Sequence, residues 1–104
     1  MKQLTNINNA KTLLVALRKD SNGKWHTATK KTVTYKVTMN RTVTGSWTHG
    51  NVWFIPETRL GRPCFAVFVG DNLNGVIWDE YQIADRIADL LNTNNKVSIT
   101  AEKF

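Results

Sequence analysis

The 104-residue chain reads as a single α+β domain, residues 1–104. The expected architecture is a mainly antiparallel sheet of about six or seven short, hairpin-linked strands, one helix over about 79–93, and a final strand. Three observations predict it. Apolar residues alternate with period two at Leu13–Leu17 and Val33–Met39, as strands with one buried face require, and later runs such as NVWFIPE and RPCFAVFVG are short and apolar throughout, as central strands are. Compact turn sequences, DSNG, THGN and GDNLNG, break these runs and suit hairpins rather than long crossovers. One window alone, DEYQIADRIADLLNTN, switches to helical spacing. Because the strands are short and consecutive, a small β-barrel carrying the same helix is the alternative architecture.

The elements follow in order. Leu13, Val15 and Leu17 alternate, and DSNG then offers a tight turn in which Gly23 is free to take positive φ. Strands over about 11–19 and 24–30 are expected. Leu13, Leu14 and Leu17 would also fit a helix capped by Asn8 or Asn9, but the turn favours a hairpin. In KKTVTYKVTMNRTVTGSW (30–47), Val33, Tyr35, Val37 and Met39 point one way, while Thr32, Thr34, Lys36, Thr38 and Asn40 point the other. Arg41 falls on the apolar phase, which predicts a bend near Asn40–Arg41 and a further strand over about 42–48. NVWFIPE and RPCFAVFVG read as central strands, stopped or started by Pro56 and Pro63 because proline cannot donate to a ladder. GDNLNG reads as the loop joining CFAVFV to GVIW. In the helix, Ile83, Ile87, Leu90 and Leu91 form one stripe, Ala84 and Ala88 allow close packing, and Asp79 and Glu80 suit the N-terminal end of the dipole. KVSITAEKF reads as the last strand.

Composition narrows the function. The single cysteine, Cys64, excludes an intramolecular disulfide framework. The apolar run Leu13–Leu17 is too short for a signal-peptide core, and no stretch approaches the ~20 apolar residues of a membrane helix. The expected protein is therefore cytoplasmic, with no membrane partner. Net charge is +6 and unevenly spread. Residues 1–50 hold nine Lys/Arg against one acid, Asp20; residues 51–104 hold five against seven, and 21–56 hold no carboxylate. That asymmetry points to an anionic partner. The Asn/Thr/Lys-rich character is that of small accessory proteins of AT-rich bacterial, phage or mobile-element genomes.

Catalytic signatures are missing: no Walker loop, GxGxxG, CxxC, HExxH or GxSxG. His26, His49 and Cys64 match no zinc spacing. Cys64 opens an apolar run and is expected to be buried and inert. The sequence predicts no enzyme, metal or cofactor. The residues left to carry function are basic and aromatic. Lys30, Lys36 and the threonines between them are expected to share one sheet face, with Lys24, Lys31 and Arg41 nearby and Trp25, Trp47 and Trp53 in the same acid-free window. Lysine supplies phosphate contacts, threonine hydroxyls bond phosphate or sugar oxygens, and an exposed tryptophan would stack an unpaired base. Arg59 and Arg62, flanking Leu60–Gly61, would grip a phosphate or carboxylate. The expected site is thus Lys24, Lys30, Lys31, Lys36, Arg41, Trp25, Trp47, Arg59 and Arg62. The expected function is binding of DNA or RNA with low sequence specificity. The alternative is a protein-interaction module or inhibitor whose basic face meets an acidic patch on a larger, nucleic-acid-processing partner. The two differ in stacking, since only a binder of single strands needs aromatics exposed on the basic face.

Overall fold

A computed structural model describes residues 12–103. Lys11 and Phe104, at the ends of the first and last expected strands, and Asn8 and Asn9, the caps of the helical alternative, lie outside the described residues. The first hairpin joins β1 (Thr12–Lys19) to β2 (Trp25–Thr27). Asp20 organises its loop: Oδ1 accepts from the backbone N–H of Asn22 and Lys24, both at 2.9 Å, while Gly23 takes φ 80°. Alternation continues into β3 (Tyr35–Arg41), which pairs with β1 so that Val15 faces Val37 and Leu13 faces Met39.

Two stretches differ from expectation for the same reason. Lys30–Thr32 form a turn, with Thr29 N–H bonded to Thr32 Oγ1 and Thr32 N–H to the Thr29 carbonyl, so β2 ends early and β3 starts late. After Arg41, which continues β3 rather than bending it, Thr42, Thr44 and Ser46 bond one another through their hydroxyls and Gly45 takes φ 90°. Such local bonds compete with the ladder. The strand expected over 42–48 is therefore mostly loop, leaving β4 as Trp47–His49.

Three antiparallel hairpins complete the sheet, the first pairing β4 with the strand that follows it, His49 opposite Val52. β5 (Val52–Arg59) pairs with β6 (Arg62–Val69), and β6 with β7 (Asn72–Ile77). Both prolines lie within strands. Counting from the closing pair Arg59–Arg62, Pro56 and Pro63 fall on non-hydrogen-bonded pairs, where the missing N–H costs no β5–β6 bond. GDNLNG is not a long loop: Gly70 and Asp71 make a two-residue turn, and the register shift opposite Val67–Phe68 absorbs Asn74 as a bulge beside Gly75.

Asp79 caps the single-turn 3-10 segment Glu80–Gln82, its carboxylate accepting from the Tyr81 N–H at 2.9 Å, and helix α1 (Ile83–Thr93) follows. Ile83, Ile87, Ala88 and Leu90 are buried, and α1 packs across β1 and β2. The tail runs extended, with Val97, Ile99 and Ala101 against the core, and pairs with β3 only over β8 (Glu102–Lys103). The strand order β2-β1-β3-β4-β5-β6-β7 curls into a half-barrel around the helix. No helix among the described residues is long and apolar enough to cross a membrane.

Two asparagine amides finish what the ladder leaves open. Asn92 on α1 accepts from the Trp25 N–H at 2.8 Å and donates to its carbonyl at 2.9 Å, closing the edge of β2 as a neighbouring peptide unit would. Asn51 does the same for the tail, accepting from Ser98 N–H and donating to the Lys96 carbonyl.

Candidate nucleic-acid interface

Side chains that do not face the helix form the outer face of the sheet. Directly paired residues share a face, so the register defines one row across six strands: Thr12, Asn40, Thr48, Trp53, Phe68, Leu73. The β1–β3–β4 half of this face is mostly polar, with Leu14 and Ala16 on β1 as its apolar members. The other half is apolar: Trp53 and Phe68 stand side by side, backed by the row Ile55–Ala66–Val76. Trp53 is 36% exposed, with its neighbour Phe68 half-buried. Trp53, Ile55, Phe68, Gly70 and Asp71 line an open cleft of about 430 Å³.

The basic residues surround this face unevenly. Lys36 lies on it, diagonal to Arg18 and two residues from Thr38 along β3; its Nζ is 3.8 Å from Glu102 Oε2. That pair is exposed and long, so it contributes little to stability. Lys30 and Lys31 are exposed in the turn that precedes β3, and Lys24 sits in the first hairpin loop. Asp20, the only acid in the first half of the chain, is engaged there: the His26 imidazole 2.9 Å away and the Lys24 and Asn22 amides lower its pKa to about 2. Arg59 and Arg62 flank the opposite hairpin tip, six residues along β5 from Trp53, or about 20 Å at ~3.3 Å per residue. Arg59 Nε bonds Glu57 Oε1 at 2.7 Å, and Arg62 lies over the Trp78 ring, 4.9 Å from its centroid. Basic groups thus stand at two diagonal corners, with the aromatic pair between them.

The remaining expected residues do not join this arrangement. Trp47 is 4% exposed and packs edge-to-face on Phe65, with centroids 5.6 Å apart, which removes it as a stacking surface. Its Nε1 has no hydrogen-bond partner among the described residues. Trp25 is half-buried between Tyr35, edge-on at 4.8 Å, and Lys19, whose ammonium lies 4.9 Å from its ring. Arg41 keeps the core-facing phase yet stays exposed, because its guanidinium lies 5.1 Å from the Trp47 ring centroid and covers it. The shared face expected for Lys30, Lys36 and the intervening threonines is cut short by the turn, leaving Lys36, Thr38 and Asn40. Phe68, Arg18 and Asp71 belong to the face and were not expected there. Cys64 is buried, as the sequence predicted. Comparisons of the chain with protein families, curated proteins and solved structures find no match.

Proposed function

We propose that the chain binds single-stranded DNA or RNA across the outer face of its sheet, with low sequence specificity. The cross-strand pair Trp53–Phe68, presented on that face between basic corners, carries the reading. Aromatic rings stack any base through its π-face. The hydroxyls of Thr38 and Thr48 and the amide of Asn40 suit sugar and phosphate oxygens. Arg18, Lys30, Lys31 and Lys36 at one corner, and Arg59 and Arg62 at the other, suit phosphates. Replacing buried Trp47 by Trp53 as the stacking residue keeps the chemistry expected from the sequence and changes its address.

Fluorescence anisotropy with labelled 12-mers tests it. About four phosphate contacts to a single strand give a log K against log [salt] slope near −3. Trp53→Ala should weaken binding by about 1–3 kcal/mol for every sequence. Undetectable binding at roughly 50 mM salt, or full affinity in a folded Trp53→Ala variant, overturns the proposal. A second reading, docking of a protein with an acidic rim, is favoured by one observation: exposed Leu73 continues the Trp53–Phe68 apolar surface onto β7 at the end of the row. Under it, nucleic acid binds weakly, and Trp53→Ala lowers affinity for one defined protein instead.

A further inference from the structure

We infer that Asp71 makes one position of this face selective for guanine, an inference that rests on the nucleic-acid reading above. Asp71 occupies the second place of the Gly70–Asp71 turn and lines the cleft beside Trp53 and Phe68. No described residue gives it a hydrogen bond or an ion pair. A bare carboxylate next to a bound polyanion is repulsive unless the ligand brings hydrogen-bond donors to it. A phosphate and a ribose ring oxygen bring none, whereas the edge of a stacked base does. An ionised carboxylate only accepts, and its two oxygens suit two parallel donors.

The four bases differ on this point. Guanine presents N1–H and an N2 amino hydrogen side by side on its Watson–Crick edge. Adenine and cytosine each place one amino donor next to a ring-nitrogen acceptor, and thymine or uracil flanks its single N–H with two carbonyls. Those acceptors would face the carboxylate and repel it. A base lying on Trp53 with its edge towards the Gly70–Asp71 turn is therefore held by both oxygens only when it is guanine. The remaining positions along the face meet threonine, asparagine and lysine, which contact backbone, so selectivity is confined to one nucleotide.

The test uses anisotropy at roughly 50 mM salt with four labelled DNA 12-mers: all thymine, or thymine with one central guanine, adenine or cytosine. The wild type should bind the guanine 12-mer about tenfold more tightly than the others, the order of one bidentate base contact. Asp71→Asn, a change at an exposed turn position, should abolish that preference while leaving affinity for the all-thymine strand equal or higher, because a negative charge is gone. Equal binding of all four by the wild type, or a guanine preference that survives in Asp71→Asn, overturns the inference and leaves the stacking proposal standing. Failure to bind any of the four overturns the stacking proposal and this inference with it.

Discussion

Among the described residues, Leu60 is the one whose backbone least fits its side chain. It sits at φ 54° beside Gly61 at φ 70°, so both central residues of the β5–β6 turn are left-handed, and its side chain is 92% exposed. This turn twists with the strands, but it asks for Asn-Gly or Asp-Gly, not leucine. A left-handed non-glycine residue costs roughly 1–2 kcal/mol, and the exposed isobutyl group recovers nothing by packing. Leu60→Asn should therefore stabilise the domain by about 0.5–1 kcal/mol, raising the melting temperature by roughly 2–8 °C. A thermal melt unchanged or lowered would show that Leu60 makes a contact that relieves its strain. At this scale the sequence was only partly legible. It marked Gly61 as a turning point and tryptophan as the stacking residue, yet could not say which tryptophan. In Val52-Trp53-Phe54-Ile55 both phases are apolar, so alternation assigns no face. The core takes Phe54, and Trp53 is left outside.

Glycines separate the elements whose turns are purely local from the one that must also make room. Gly50 and Gly70 each open a two-residue turn, with φ 60° and 59°. A Cβ on Gly70 would meet nothing within 4 Å, whereas a Cβ on Gly50 would collide with the Ser98 carbonyl, where the tail crosses the β4–β5 turn. Gly70→Ala should cost the conformational term alone, about 1 kcal/mol. Gly50→Ala should cost that plus displacement of the tail, roughly 2–4 kcal/mol in all. Urea unfolding of both variants, with hydrogen exchange over residues 97–103, measures the difference. Equal losses, with no added exchange in the tail, would mean the crossing is loose. Elements with local causes were readable: the first hairpin from Asp20 and Gly23, and the helix from its Ile-Ile-Leu stripe. Elements set by competition were not. Thr42–Ser46 carries strand-forming residues whose hydroxyls found each other first, and GDNLNG spends most of its turn chemistry on a bulge.

Across the whole molecule, the half-barrel is closed by pairs of residues that sequence spacing cannot connect. Trp25 and Asn92 are 67 positions apart, and Asn51 and Ser98 are 47 apart. Neither asparagine stands out in a chain rich in them, which is why the sequence predicted a full last strand where an amide and a two-residue ladder serve instead. The asymmetry of charge was legible at this scale; its division between two corners was not, because it depends on which turns interrupt the strands. The Asn92 clasp also has a meaning in time. Closing a loop of that length is entropically costly and rewards the chain only when both ends are already in place. The β5–β6–β7 meander, built from adjacent hairpins, has no such delay and should assemble first, with the first hairpin and the helix meeting afterwards. Asn92→Ala removes two hydrogen bonds worth about 1 kcal/mol each. Its loss should appear almost wholly as unfolding faster by about 5- to 30-fold, with the folding rate within about twofold, in stopped-flow measurements. A folding rate that fell by the same factor would place the clasp among the earliest contacts. If the clasp forms last, it is also the first to let go, and the domain's lifetime is decided at the edge of the three-residue strand β2.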